Sequence, residues 1–323
     1  MTKNKMTKTT VNLNLKLNFC SWLATAFCIF LVCAGLKANA TEISPLIGFG
    51  QENFSFDVDE FAPGSKKINF QPNIAGVTRI GLNYGDFGVG VGFRGSSKDL
   101  DSAKGSTDFF DLQLSYQTRQ WGIEGFYQTY KGFYNDASST TQVFPDLSFK
   151  HFGLMGRYAL SDGAFAVNAL MDQSDEIVDS PVKFFAVGGI RQHDLSTTTS
   201  LLTGDFMGEN TDLESMRRLK VMSLNLGLGV GKYWVSSSRL FIGGVFDVLA
   251  TTGFYNYETA SGTSSSATYV TPSYDLRLGL GYAGTTFKTG VSFAADLTTL
   301  KTLGGAIVKP SANRLLLYFR FVF

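Results

Sequence analysis

Two histidines, His151 and His193, are the only imidazoles in this 323-residue chain, and they narrow the chemistry open to it. Hydrolysis by an activated serine needs an imidazole beside the nucleophile. In lipid hydrolases of membranes the two commonly stand as His-x-Ser. Here His151 precedes Phe152 and Gly153, and His193 precedes Asp194 and Leu195. A serine and a histidine distant in sequence can still meet in space, so a lipid hydrolase is kept as a third reading. Asp172, Asp175, Glu176 and Asp179 cluster in one segment and could offer oxygen ligands to Ca²⁺. Their spacing matches no calcium loop, so the segment reads as a solvated acidic loop, or as one that divalent ions link to lipopolysaccharide. No metal or cofactor is assigned.

The stronger constellation is a set of charges that recur at period two. Arg79, Arg94, Arg119, Arg157, Arg191, Arg277, Lys288, Arg314 and Arg320 stand with Asp111, Glu124, Asp172, Asp247, Asp275 and Asp296. Most lie in segments whose other parity is apolar. Phe110, Leu112, Leu114 and Tyr116 alternate with Asp111, Gln113, Ser115 and Gln117, and Tyr274, Leu276, Leu278 and Leu280 with Asp275, Arg277, Gly279 and Gly281. Strict alternation is the mark of a strand with two unlike faces. A face this apolar meets hydrocarbon, where Lys or Arg at mid-bilayer costs about 2–4 kcal/mol. The charged parity must therefore be enclosed.

These strands can be positioned only by a closed ring. Hydrocarbon leaves unpaired backbone groups without partners, so a membrane protein built of strands has to be a barrel. Residues 41–323 hold no apolar run long enough for a membrane helix. Short connections are expected near Gly85–Asp86, Arg119–Gln120, Ser161–Gly163, Ser236–Ser238 and Ala283–Thr285. Longer ones are expected at about 59–67, 95–106, 132–147, 204–218, 253–268 and 298–312. Thirteen strands count directly. One more at Leu195–Leu202, reached by a turn near His193, restores the alternation of short and long connections. The expectation is an all-β transmembrane antiparallel barrel of about 14 strands, with 12 as the alternative. Asp57, Asp59, His193 and Asp194 supply the residue types of an aspartate-histidine protease, but a turn at His193 falls on the wrong side of the membrane.

The N-terminus agrees with export. Lys3, Lys5, Lys8 and Lys16 precede an uncharged stretch and then Ala38-Asn39-Ala40, an A-x-A cleavage pattern. Residues 1–40 are read as a signal peptide and 41–323 as one barrel domain. Cys20, Cys28 and Cys33 all lie in the leader, which excludes thiol and disulfide chemistry from the rest. Five of the 28 basic residues leave with it, so 23 face 27 acidic ones, and no basic footprint for nucleic acid remains.

At the other end Leu315, Leu317, Phe319, Phe321 and Phe323 share one parity, with Arg314, Tyr318 and Arg320 on the other. This terminal strand resembles the recognition tail of bacterial outer-membrane barrels, with Phe319, Phe321 and Phe323 as the assembly signal. The resemblance implies periplasmic chaperones and the barrel-assembly machinery as partners during biogenesis. A second resemblance rests on Phe70-Gln71-Pro72-Asn73, Arg119-Gln120-Trp121-Gly122, Lys131-Gly132-Phe133-Tyr134 and Pro145-Asp146-Leu147. The stretch 68–175 is similar to an uncharacterised bacterial family of outer-membrane β-barrels, classed as a domain of unknown function. It implies the barrel and the outer membrane, and no catalytic residues.

The reading is a monomeric outer-membrane barrel of a Gram-negative bacterium, in contact with lipid and lipopolysaccharide. It is a channel or binding barrel for small polar solutes, anionic ones included, with glycines such as Gly227, Gly229 and Gly279 leaving the lumen open. The alternative is a plugged structural or surface-interaction barrel whose charges satisfy one another. The aromatics of 131–149 (Phe133, Tyr134, Phe144 and Phe149) are expected to anchor strands at the membrane interface. Otherwise that loop folds into the mouth, with Lys131 and Asp146 lining it.

Overall fold

The computed structural model describes residues 42–59, 67–95, 100–118, 120–138, 140–161, 167–173, 177, 179–262, 264–301 and 307–323. The leader, Arg119, Asp175 and Glu176 lie outside these. Strands β1 (Ile43–Asp59), β2 (Ile68–Phe70), β3 (Val77–Tyr84), β4 (Phe87–Arg94), β5 (Asp108–Gln117), β6 (Trp121–Asn135) and β7 (Gln142–Ala159) form the first half. Helix α1 (Val167–Asp172) follows. Then come β8 (Lys183–Ser196), a short helix α2 (Thr211–Ser215), β9 (Met216–Val235), β10 (Leu240–Thr259), β11 (Ser264–Ala283), β12 (Phe287–Leu297), β13 (Leu300–Lys301) and β14 (Ile307–Phe321).

All pairings are antiparallel, and β14 pairs with β1 from Leu46↔Arg320 to Asp59↔Ile307, which closes the sheet. The fourteen strands occupy twelve positions in the ring. β3 and β2 lie end to end along one edge of β1, and β12 and β13 along one edge of β14. The strand expected at Leu195–Leu202 does not form: His193 sits within β8, which runs on to Ser196. The chain turns there because the Asp146 carboxylate accepts from the Thr198 amide at 2.7 Å and from its hydroxyl. Leu201 and Leu202 then tuck into the interior.

The inner end of the ring carries both ends of the sheet, where Ile43 and Phe323 exchange backbone hydrogen bonds. The tight connections 85–86, 118–120, 236–239 and 284–286 lie at this end. The exception is 160–182 between β7 and β8, near the tight turn expected at Ser161–Gly163; its described residues include α1.

The outward face has two regimes. Over the inner half it is apolar, with Ile47, Ile80, Leu226, Leu228, Ile242, Val248, Leu278 and Leu280 exposed. Aromatic girdles flank this band, Trp121, Tyr158, Trp234 and Tyr282 below and Phe49, Phe93, Phe152 and Phe254 above. Such a band suits hydrocarbon and such girdles suit its interfaces. Towards the outer end the polarity inverts. On β1 the outward residues become Gln51, Asn53, Ser55 and Asp57 while Phe54, Phe56 and Val58 turn inward and are buried. On β10 Asn256 and Glu258 face out while Tyr255 and Tyr257 face in.

Strands of up to twenty residues result, although about ten cross a bilayer. Much of the loops expected at 253–268, 298–312 and 132–147 is therefore strand. The outer half is a barrel with an apolar core, from Phe54, Phe70, Tyr130, Phe133, Phe149, Leu219 and their neighbours.

The inversion makes a two-sided prediction. Leu228→Arg, mid-band on β9, should cost about 2–4 kcal/mol in urea unfolding from lipid. Asn256→Arg, on the same outward face beyond the band, should change stability by less than about 0.5 kcal/mol.

Candidate functional site

The enclosed charges meet at mid-height. Arg157 on β7 binds Asp247 of β10 (Nη2 at 2.8 Å) and Glu124 of β6 (3.0 Å). Arg277 on β11 grips the same Glu124 with both terminal nitrogens, at 2.5 and 2.6 Å, so Arg157–Asp247 and Arg277–Glu124 brace walls that are not neighbours in the ring. Arg191 on β8 reaches Asp275 of β11 at 2.8 Å and Asp296 of β12 at 2.7 Å. Arg79 on β3 binds Asp111 of β5 and lies 3.5 Å from Glu52 of β1. Glu52 also accepts from Gln128 at 2.7 Å. Most of the expected lumen residues are thus brought together. Arg94 sits at the outer rim, bonded to the Thr107 carbonyl at 3.0 Å.

Asp172 reaches the lumen from α1, and the expectation of a solvated acidic loop fails for it. Arg320 on β14 donates to the Asp172 carbonyl (2.7 Å) and carboxylate (3.0 Å), and also to Ser44 and Asn83 at 2.9 Å. Gln173 follows in the left-handed region (φ 52°) and donates to the Thr289 carbonyl and the Tyr318 hydroxyl, while Lys288 Nζ binds the Gln173 carbonyl. Above these bonds Leu170 packs among Met155, Phe185, Val187, Phe241 and Val245.

The wall glycines explain how a helix fits. A Cβ at Gly279 would stand 2.2 Å from the Leu170 carbonyl oxygen, and one at Gly243 2.9 Å from its side chain. At Gly229 a Cβ would meet the Asp247 carboxylate, and at Gly227 the Val248 carbonyl. Gly229 and Gly279, expected to leave the lumen open, instead make room for its contents, whereas Gly227 admits the close approach of the neighbouring strand β10.

A cavity of about 180 Å³ lies between this floor and the outer aromatic core. Met171 and Asp172 of α1 border it from below. Glu52, Glu124, Asp275, Asp296, Arg79, Arg191, Arg277 and Arg314 line it together with Gln128, Asn313 and the apolar Leu46, Phe126 and Leu316. Each of the carboxylates is paired with an arginine.

The histidines stand at the chamber's upper edge. His151 and His193 are register partners on β7 and β8, both buried, with rings stacked 4.3 Å apart. Among the described residues their ring nitrogens have no hydrogen-bond partner. His193 is therefore a lumen residue and not a turn residue. Sequence parity held the signal, since His193 falls in phase with Arg191, but the proposed turn masked it. Among the described residues no group of three or more His, Asp or Glu side chains is placed to hold a metal ion.

Three of the four quoted motifs converge on the outer mouth, while Gln120, Trp121 and Gly122 of the fourth stand at the inner end. Gly132, at φ 93°, makes a bulge in β6, and a Cβ there would lie 2.4 Å from the Ser106 carbonyl. Beyond the bulge Phe133 turns inward against Phe54 and Phe56, and Tyr134 pairs with Gln71 in a β-bridge. β2 thereby reaches β6 directly and passes over β4 and β5, so the ring narrows. Phe133, Tyr134, Phe144 and Phe149 are all buried, which overturns the interface-anchor expectation: they fill the mouth. Lys131 points outward, Pro145 is exposed, and Asp146 caps the Thr197–Thr199 turn, so neither Lys131 nor Asp146 lines a pore.

Removing one partner of a buried pair leaves an uncompensated charge. Arg157→Met should cost about 3–5 kcal/mol in urea unfolding, because Asp247 loses its counter-ion. Adding Asp247→Leu should restore most of that loss.

The chain belongs to the family described as domain of unknown function (DUF4421), which matches residues 49–321. No curated protein matches it. Among solved structures it is similar to the outer-membrane protease OmpT of Escherichia coli, at 10% identity and a TM-score of 0.39, over 87% of this chain and 97% of that one. It is also similar to outer-membrane OmpT of Vibrio cholerae (10%, TM-score 0.28, 89% and 99%). A third is the toluene transporter TodX of P. putida (10%, TM-score 0.27, 88% and 90%).

Proposed function

For this member of the DUF4421 family we propose an outer-membrane barrel that binds a small polar solute in its mid-lumen chamber and exchanges it at the inner end. The carrying observation is the cavity itself, polar on much of its wall and set between an apolar outer core and a helical floor. The apolar band and its girdles support residence in a bilayer. The C-terminal Phe319, Phe321 and Phe323 support delivery by the barrel-assembly machinery, as a monomer in contact with lipid and lipopolysaccharide.

Exchange at the inner end follows from how the two closures are built. The outer core is continuous with the strands, so opening it unpacks the ring. The floor is six residues of helix held by Arg320, Lys288, Gln173 and the contacts of Leu170. Short segments with few apolar contacts open at lower free energy than core strands. A plugged structural barrel is the second reading, favoured by the mutual pairing of the chamber's carboxylates.

Met171→Cys separates them, because the chain has no cysteine beyond residue 33. With the barrel oriented in vesicles, a membrane-impermeant thiol reagent should label this cysteine from the inner side alone. Labelling from the outer side overturns the assigned route, and no labelling from either side supports the structural barrel.

A further inference from the structure

Among the described residues one guanidinium bordering the chamber has no direct partner. Arg314 on β14 sits opposite Glu52 of β1 and Ala294 of β12. Its cross-strand carboxylate is already engaged, since Glu52 accepts from Gln128 at 2.7 Å and has Arg79 and Tyr130 at 3.5 Å. Among the described residues Arg314 makes no hydrogen bond or ion pair, its Nε is buried without a partner, and the side chain borders the chamber. The other arginines on that wall are spent: Arg79 on Asp111, Arg191 on Asp275 and Asp296, and Arg277 on Glu124.

We propose that Arg314 is the anchor of a binding site for a small organic carboxylate, a monoanion with an apolar body. A planar guanidinium matches a carboxylate through two parallel hydrogen bonds. A second negative charge would face Glu52 and Glu124, whose own counter-ions are already engaged. The apolar body follows from Leu46, Phe126 and Leu316, which border the same cavity as the guanidinium. This deepens the chamber reading and rests on it.

The full chain, without its leader and folded in detergent, would be titrated calorimetrically with butyrate, butyramide and inorganic phosphate. Butyrate should bind saturably to the unaltered protein. It should bind at least tenfold more weakly to Arg314→Gln, with partial recovery in Arg314→Lys and no change in Arg94→Gln at the rim. Arg314→Gln should unfold at an unchanged or higher urea concentration, since it breaks no direct hydrogen bond or ion pair among the described residues. A large loss of stability would show that Arg314 has a structural counter-ion and overturn the assignment.

Equal butyrate binding by Arg314→Gln, or preference for phosphate, also overturns it. Butyramide bound as well as butyrate, with Arg314 irrelevant, overturns the anion site while leaving the chamber standing. Silence from all three probes removes the chamber reading as well.

Discussion

Every charge enclosed by this ring must find its balance inside the ring. The outward face of the inner half is given over to apolar side chains, so a guanidinium on those strands has only the lumen to turn to. A lumen enclosed by twelve strand positions is narrow, and charges from opposite walls come within contact distance. Hence Arg277 of β11 meets Glu124 of β6, and Arg191 of β8 meets Asp296 of β12. Such pairs add little net stability over an apolar filling, because desolvation offsets most of the attraction. Their effect lies in specificity: a register slip of one residue would turn Arg277 towards lipid and strand Glu124 and Arg157 within the wall's interior.

The same constraint explains why the polarity reverses towards the outer end. Once the strands rise past the upper girdle, their outward face meets water, and apolar side chains gain by turning in. β1 makes the change within a few residues, from Ile47 and Phe49 outward to Phe54 and Phe56 inward. The aromatic rings there pack as in a soluble core, Phe54 on Phe149 at 4.1 Å and Phe56 on Phe70 at 4.8 Å. The bulge at Gly132 and the bridge from Gln71 to Tyr134 narrow the ring where that core needs it. One continuous set of strands thus serves two solvents, with an opposite filling rule for each half.

Much of the fold was legible because alternation carries parity, and charge tells which parity is enclosed. Arg79, Asp111, Glu124, Arg157, Asp247, Asp275, Arg277, Asp296, Arg314 and Arg320 all fall on the side the sequence assigns them. Parity does not report height, and it does not say whether the interior at that height is wet. Phe133, Phe144 and Phe149 therefore read as interface anchors, when inversion had already put them inside. The turn placed near His193 came from a demand for regular connection lengths, whereas the chain breaks that regularity at 160–182 to send α1 inward. A six-residue helix has too little periodicity to announce itself, and its place is set by tertiary contacts. The glycine at 279 is its clearest trace, for it permits the approach of Leu170 that any side chain would block.

The chamber's position follows from these two fillings. An apolar core cannot pack directly on a layer of guanidinium and carboxylate groups, because the ends of the polar groups need hydrogen-bonding partners that phenylalanine cannot supply. The stacked pair His151 and His193 lies at the junction on one wall, with Phe149 against His193 at 5.8 Å and His151 bordering the same cavity as Arg191. Elsewhere the boundary is left as space. In the proposed function, a cavity whose upper edge is the end of one filling rule and whose floor is a separately held helix changes contents without disturbing either. Its polar groups are braced across the ring by ion pairs that do not involve α1. That separation between braced walls and a separately held floor is what supports the proposal that a lumen filled along so much of its length acts as a site.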